Sequence, residues 1–289
     1  ESFGKDWVTD AVNERKLVDC NIYVGDYGVL PPFEQAREDA DIIFTWNGTT
    51  SGVRVPNADW IKPNPDRIVI CDATSAVFAQ DMEWEKLDVV TYSWQKVLGG
   101  EAAHGMLILS PNAVRRLESY KPERPLPKIF RMTKGGKLNE ALFEGNTINT
   151  PSLLCTEDYL QALDWAEECG GYQGLKARSD RSLEILSDWV AKTEWIEFLC
   201  ADDAVRSNSG VTFSIVHPTF AKLDEAGQRA FLKRMMTRLE GEDACFDANG
   251  YAKAPPGLRI WCGATVEPDD VAKLTPWLDW TFAEELAAL

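Results

Sequence analysis

The 289-residue chain has few of the residues that build metal sites and disulfide frameworks. It contains two histidines, and its seven cysteines are scattered, with no CxxC pair. This pattern disfavours a structural zinc site or a disulfide framework and favours a reducing cytoplasm. No apolar run approaches bilayer length, and the first residues do not resemble a signal peptide. We therefore expect a soluble, cytoplasmic protein without a membrane partner.

Positive charge is also scarce. The chain has 30 lysines and arginines against 46 aspartates and glutamates, which gives a net charge of −16. A charge of this sign argues against binding nucleic acid or anionic lipid over a broad face. Hydrophobic residues make up 45% and charged residues 26%, close to the average globular mix. The length suits one large domain or two of ordinary size.

The first half of the chain alternates short apolar runs with helical or loop segments. This alternation indicates a three-layer α/β domain with a mainly parallel sheet, in which a short connection could carry an antiparallel strand. The predicted strands are 20–24, 41–46, 67–72, 88–93 and 105–110, and the predicted helices are 5–16, 32–38 and 111–120. The last of these helices begins at Pro111 after a Ser110 cap.

From about residue 156 the apolar spacing becomes helical. Strands are then predicted at 195–200, 210–216 and 257–262, with helices at 219–239 and from about 267 to the end. This half indicates a linker helix and a smaller α+β domain. We therefore expect a large domain over residues 1–155 and a small one over residues 156–289.

One candidate for covalent chemistry is Lys96, at the end of an apolar, β-branched run. It follows Gln95 and precedes the pair Gly99-Gly100. A buried strand that delivers a lysine to a tight turn suits Schiff-base chemistry with carbonyls, because desolvation lowers the pKa of the amine. The alternative is a solvated lysine in a glycine turn.

A carboxylate ends the preceding strand, at Asp72. Ligands of open α/β sheets bind outside the carboxyl ends of the strands, so Asp72 and Lys96 could face one crevice. An aspartate for the pyridine nitrogen and a lysine for the aldehyde are the two protein groups that pyridoxal phosphate most needs. Alternatively, Asp72 caps the following turn.

Three further features suggest anion binding, and each has a plainer explanation. Loop 47–52 carries hydroxyls and amides between two glycines, and it is either an anion cradle or an ordinary polar turn. Residues 121–137 carry six lysines and arginines against Glu123, and they either neutralise an anionic ligand or form a solvated loop. Arg259 lies in an apolar strand, where it either binds a carboxylate ligand or forms an internal salt bridge.

Three motifs in order give the chain a family resemblance. They are Ser93–Glu101 (SWQKVLGGE), Trp46–Gly52 (WNGTTSG) and Glu144–Pro151 (EGNTINTP). Together they resemble the phosphoserine aminotransferases, a class-V branch of the pyridoxal-phosphate enzymes of fold type I. The resemblance extends from the first residue to the last helix.

The resemblance implies roles for individual residues around the cofactor. Lys96 matches the lysine that holds pyridoxal 5'-phosphate covalently and then moves the substrate proton. Asp72 matches the carboxylate that keeps the pyridine nitrogen protonated. Trp7 matches the ring stacked on the pyridine face, Thr49 a hydroxyl near O3', and Gln95 a phosphate ligand.

Other positions concern the partner subunit and the substrate. Asn149 and Thr150 match residues that a second subunit lends to the cofactor phosphate, so the resemblance implies a homodimer with shared active sites. Arg259 matches the arginine that binds the substrate α-carboxylate. Lys253 and His104 are weaker candidates for substrate binding, and His104 has no role in a family motif.

The implied activity is transamination of 3-phosphohydroxypyruvate with L-glutamate, giving O-phospho-L-serine and 2-oxoglutarate in serine biosynthesis. The analogous phosphorylated substrate of vitamin B6 synthesis is a further expectation. Alternatives are another class-V enzyme, such as an alanine–glyoxylate type aminotransferase, or a truncated remnant without catalysis. A cysteine desulfurase is disfavoured, because no cysteine lies in an obvious mobile loop. Relatives carry a segment before the position of Glu1, with a glycine-containing phosphate loop, and this chain departs from them there.

Overall fold

The computed structural model describes residues 2–102 and 104–289. Its helices are α1 (Ser2–Thr9), α2 (Pro111–Ser119), α3 (Leu153–Glu168), α4 (Gly171–Val190), α5 (Pro218–Ala221), α6 (Glu225–Gly241) and α7 (Pro268–Ala287). Its strands are β1 (Ile42–Thr45), β2 (Asn47–Gly48), β3 (Val53–Arg54), β4 (Val69–Asp72), β5 (Val89–Ser93), β6 (Gly105–Leu109), β7 (Thr133–Lys134), β8 (Lys137–Leu138), β9 (Ile196–Phe198), β10 (Gly210–Ile215) and β11 (Gly257–Trp261). Short 3₁₀ helices cover Phe33–Gln35, Trp84–Lys86, Lys128–Phe130, Glu140–Phe143 and Asp203–Val205, and α1 continues into a π-helical turn, Asp10–Glu14.

The larger sheet has the strand order β1-β4-β5-β6. β1, β4 and β5 are parallel, and β6 pairs antiparallel with β5. Asp72 lies in register with Thr45 on one side and Thr91 on the other. Parallel strands end at a common edge, so the residues that follow β4 and β5 meet there. The predicted mainly parallel sheet is confirmed, and so is an antiparallel strand on a short connection.

Apolar side chains are buried at the centre of this sheet, on β4 and β5. Val69, Cys71 and Val90 are buried, and Trp46 lies at the end of β1 with 1% of its surface exposed. Strands covered by apolar contacts in this way are typical of parallel sheets. The resulting core fixes the positions at which β4 and β5 end.

Helix α2 begins where the sequence predicts. The Ser110 hydroxyl accepts a hydrogen bond from the Ala113 amide at 3.1 Å, and Pro111 occupies the first helical position, where no amide hydrogen is needed. Ser110 also donates to Asp88 Oδ1 at 2.5 Å, which ties the start of the helix to the start of β5.

The second sheet has the order β11-β10-β9 and is antiparallel throughout. One apolar cluster joins it to the helices around it, and its fully buried members include Leu186, Val211, Met235, Leu239 and Leu278. This part of the chain has the predicted α+β organisation. The boundary between residues 155 and 156 stays a prediction.

Three predicted elements differ from the structure. Residues 20–24 form no strand, because the apolar side chains Ile22 and Val24 are exposed and no neighbouring strand pairs with them. The predicted helix over 32–38 is reduced to the 3₁₀ turn Phe33–Gln35. The predicted helix over 219–239 is divided into α5 and α6, because Asp224 caps a new helix start by accepting from the Gly227 amide at 2.8 Å. None of the described helices is long and apolar enough to cross a bilayer.

Candidate active site

Lys96 lies in a tight turn directly after β5. The Gly99 amide donates to the Lys96 carbonyl, and the Gly100 amide donates to the Trp94 carbonyl, each at 3.0 Å. Gly99 has φ of 69°, and a Cβ there would lie 3.1 Å from Thr265 Cγ2. Glycine therefore meets both the left-handed backbone and the close approach of the segment that follows β11.

The Lys96 side chain is half-buried. Its Nζ lies 5.7 Å from the centre of the Trp261 ring in β11. Burial lowers the pKa of Lys96, the positive charge of Arg259 lowers it further, and the negative charge of Asp72 opposes both. The structure thus brings Lys96, Asp72 and Arg259 into one electrostatic neighbourhood, and the amine is more readily deprotonated than an exposed lysine.

Asp72 is oriented by its own loop. Its Oδ1 accepts from the Thr74 amide at 3.0 Å and from the Thr74 hydroxyl at 2.6 Å. The turn-capping alternative for Asp72 is therefore present in the structure. The negative charge of the same carboxylate also raises the pKa of Lys96, so the capping role does not exclude a role beside the lysine.

Loop 47–52 contains the β2–β3 hairpin. Its residues are buried, and the amides of Ser51 and Gly52 both donate to the Gly48 carbonyl, at 3.0 and 2.8 Å. Gly52 has φ of 70°, and a Cβ there would lie 2.0 Å from Thr212 Oγ1 of β10. These two amides close the β2–β3 hairpin and Thr212 of the second sheet approaches Gly52, which favours the alternative of an ordinary polar turn.

Thr49 is buried beneath the turn that follows Asp72. Its Oγ1 shares a hydrogen bond with Ser75 Oγ at 2.9 Å, and Asn47 Nδ2 donates to the same Ser75 oxygen at 2.9 Å. The Thr49 hydroxyl therefore has a fixed position, set by the loop after β4.

A buried polar network, which the sequence analysis missed, joins this loop to the second sheet. Asn208 Nδ2 donates to the Ala79 carbonyl at 2.8 Å, Gln80 Nε2 donates to Asn208 Oδ1 at 3.1 Å, and Ser209 Oγ donates to the Ser75 carbonyl at 2.6 Å. Asn208 and Ser209 are fully buried. The available signal was the polar run Ser207–Ser209 directly before a strand, since a buried polar group requires partners.

Arg259 forms an internal salt bridge. Its Nη2 lies 3.1 Å from Asp247 Oδ2, and its guanidinium lies 5.0 Å from the centre of the Tyr251 ring. The Arg259 side chain is 11% exposed, whereas that of Asp247 is 87% exposed. Arg259 Nε is buried and has no hydrogen-bond partner among the described residues. The salt-bridge alternative is therefore present, but part of the guanidinium fork remains unused.

Buried, unpartnered polar atoms surround the Lys96 turn. They are Trp94 Nε1, Gln95 Oε1 and His104 Nε2, none of which has a hydrogen-bond partner in the described part of the chain. The Trp94 ring is stacked on Tyr159 of α3 at 4.0 Å and lies 4.7 Å from the His104 ring. Such orphaned polar atoms are typical of a site that a ligand completes.

No hydrogen bond, ion pair or ring contact among the described residues links four other predicted site residues to the Lys96 turn. Trp7 is half-buried on α1, and Lys253 is exposed, with its Nζ 3.9 Å from Asp6 of the same helix. Asn149 and Thr150 are exposed in the segment before α3. The basic segment 121–137 is largely exposed and includes part of the β7–β8 hairpin.

Comparison with solved structures gives the fold. The chain superposes on a phosphoserine aminotransferase from Bacillus circulans subsp. alkalophilus with a TM-score of 0.70 and 19% identity, covering 96% of this chain and 72% of that one. At this identity the match shows the fold alone, which is that of the fold-type I aminotransferases. The predicted fold class is confirmed.

Comparison with curated proteins gives the family. The chain is 51% identical over 282 residues to the phosphoserine aminotransferases of Methanosarcina mazei and Methanosarcina barkeri, covering 98% of this chain and 74% of each relative. A search against protein-family models finds no match. The chain belongs to the phosphoserine aminotransferase family, so the predicted family is confirmed.

The residues present fit pyridoxal phosphate. The half-buried amine of Lys96 has a lowered pKa, the oriented carboxylate of Asp72 is within its electrostatic reach, and unpartnered polar atoms of Gln95 and His104 lie at the same turn. An amine for an aldehyde and a carboxylate for a ring nitrogen are the donor set that this cofactor requires.

Proposed function

We propose that this chain transaminates 3-phosphohydroxypyruvate with L-glutamate, using pyridoxal phosphate, to give O-phospho-L-serine and 2-oxoglutarate. The observation that carries the proposal is the grouping of Lys96, Asp72 and Arg259 in a chain 51% identical to phosphoserine aminotransferases. The bound cofactor would supply the electron sink that stabilises a carbanion at the substrate α-carbon.

Lys96 has two tasks in this proposal. Its amine would hold the cofactor through the aldehyde group, and as a free base it would carry a proton away from the substrate α-carbon. Both tasks need a neutral amine. Burial and the Arg259 charge lower the pKa of Lys96, and this favours the neutral form.

Asp72 would keep the pyridine nitrogen of the cofactor protonated. A carboxylate that is charged beside a ring nitrogen favours the protonated form of that nitrogen. Thr74 donates twice to Asp72 Oδ1, and this fixes the plane of the carboxylate. Thr49, held by Ser75, would contact O3' of the ring, and Trp7 would cover the ring face.

Arg259 binds the α-carboxylate that every substrate of the reaction carries. The guanidinium suits a bidentate hydrogen-bonded pair with a carboxylate. Gln95 would contact the cofactor phosphate, and Lys253, His104 and the basic segment 121–137 are the candidates for the substrate phosphate. The same groups would admit the phosphorylated substrate of vitamin B6 synthesis.

We also propose a cytoplasmic homodimer in which Asn149 and Thr150 reach the cofactor phosphate of the second subunit. Both residues are exposed, and so are the neighbouring apolar side chains Leu153 and Leu154. Exposed apolar groups beside exposed amide and hydroxyl groups are what a shared interface would cover.

A substrate panel tests the function. The cofactor-loaded chain is assayed with glutamate and, in turn, 3-phosphohydroxypyruvate, glyoxylate and pyruvate. The proposal requires the phosphorylated ketoacid to have the highest kcat/KM. A preference for glyoxylate or pyruvate would instead identify an alanine–glyoxylate type enzyme, and turnover with none of them would support a remnant without catalysis.

A further inference from the structure

The segment before β11 places a carboxylate beside Arg259. The Arg259 amide donates to the Ala248 carbonyl at 2.8 Å, and Asn249 forms a β-bridge with Leu258. The backbone of residues 247–249 therefore runs along the edge of β11. Asp247 begins this paired stretch, and its position next to Arg259 is fixed by main-chain hydrogen bonds.

The contact between the two side chains is one-sided. Arg259 Nη2 donates to Asp247 Oδ2 at 3.1 Å and to the Asp247 carbonyl at 3.4 Å. Arg259 Nε has no hydrogen-bond acceptor among the described residues. A carboxylate in the favoured bidentate geometry engages two nitrogens of the fork. Asp247 thus pairs with Nη2, and Nε has no partner among the described residues.

The Asp247 side chain of this ion pair is open to solvent, with 87% of its surface exposed. Ion pairs with a solvated partner are weak and exchange readily. Asp247 has φ of 56°, in the left-handed region that aspartate and asparagine tolerate better than most residues. The acid is therefore held near Arg259 by its backbone more than by the strength of the ion pair.

We propose that Asp247 is an internal stand-in for the substrate carboxylate, which holds the Arg259 guanidinium in place in the empty site and competes with each incoming substrate. This inference rests on the proposed role of Arg259. Asp247 is a positioning residue: it touches Arg259 and is displaced when a ligand carboxylate takes both nitrogens of the fork.

Competition of this kind weakens ligand binding, because the ligand carboxylate must first break the ion pair between Arg259 and Asp247. The more stable that ion pair is, the larger the loss of affinity. For an ion pair with an exposed partner, the expected factor is about two to five. Removing the charge of Asp247 should therefore tighten carboxylate binding by that factor. A residue that only maintained the local structure would have the opposite effect when changed.

The test is calorimetric titration of the cofactor-loaded chain with 2-oxoglutarate in the absence of an amino donor. Asp247→Asn removes the charge and retains the tolerance for a left-handed backbone. The matched control is Asp203→Asn: Asp203 is 86% exposed and pairs with the buried Arg206 at 2.6 Å, so it is an exposed acid on a shielded arginine like Asp247. Arg259→Gln reports whether the guanidinium binds the ligand at all, and a thermal melt of each variant checks its fold.

We expect Asp247→Asn to bind 2-oxoglutarate more tightly than the unaltered protein and Asp203→Asn to bind it equally well. Unchanged or weaker binding in Asp247→Asn, with loss of binding in Arg259→Gln, would overturn the inference and leave the proposed function intact. Unchanged binding in Arg259→Gln would show that the guanidinium does not hold the carboxylate, and it would overturn the inference together with that part of the proposed function.

Discussion

Replacing Arg259 by glutamine removes a guanidinium that is 11% exposed and lies within electrostatic reach of Lys96. Glutamine keeps hydrogen-bonding capacity but cannot offer a charged fork to a carboxylate. Both the amino donor and the ketoacid carry an α-carboxylate. The substitution should therefore impair the half-reaction of each substrate alike.

The magnitude follows from the type of interaction. A hydrogen bond to a charged group contributes about 1.5–3 kcal/mol, which corresponds to a roughly 10- to 150-fold loss in kcat/KM. The loss for Arg259→Gln should lie near the upper end of this range, because the shielded position of the guanidinium reduces the competition from water. Displacement of Asp247 offsets part of the gain, so a loss of about 30- to 100-fold is expected.

The assay follows the cofactor absorbance in each half-reaction separately, first with L-glutamate and then with 2-oxoglutarate. Arg229→Gln is the matched control, because Arg229 pairs with Glu225 on α6, in the same half of the chain. Its kcat/KM should match that of the unaltered protein. A loss in Arg259→Gln confined to one of the two substrates would refute the assigned role.

Three further predictions concern the lysine and the fold around it. Lys96→Ala should abolish transamination and leave the thermal melt unchanged; measurable turnover in that variant would contradict the proposed chemistry. In cofactor-free protein, Arg259→Gln should raise the pKa of Lys96 and Asp72→Asn should lower it, because each removes one of two opposing charges. Competitive acetylation of Lys96 as a function of pH measures both shifts, and shifts of the same sign would be inconsistent with the site. Gly52→Ala should destabilise the chain by more than about 1 kcal/mol in urea denaturation, since its Cβ would lie 2.0 Å from Thr212 Oγ1 at positive φ; an unchanged midpoint would show that the hairpin is not held as described.

Sequence patterns predicted the elements that local chemistry determines. Ser110 and Pro111 mark the start of α2, and the apolar runs that end at Asp72 and Ser93 are strands of the same sheet. Because parallel strands end at one edge, placing Asp72 near Lys96 required no tertiary information. The division between α5 and α6 was also within reach, since Asp224 is a good capping residue directly before a helical segment.

Other features depend on contacts between distant parts of the chain. Arg259 lies in a different sheet from the strand that precedes Lys96, so their proximity follows from how the two sheets pack, which no local spacing encodes. Loop 47–52 has the composition of an anion cradle, but the approach of Thr212 covers it. Residues 20–24 have strand-like composition but form no strand. A strand needs a neighbouring strand to pair with, and local composition does not show whether one is present.

The most direct test of the central claim is to locate the covalent bond between the chain and its cofactor. The purified protein is incubated with pyridoxal phosphate, reduced with borohydride, digested and mapped by mass spectrometry. The account predicts a single adduct on the peptide that contains Lys96, and none in Lys96→Ala. An adduct on another lysine, or its persistence in Lys96→Ala, would contradict the assignment of Lys96 as the reactive amine.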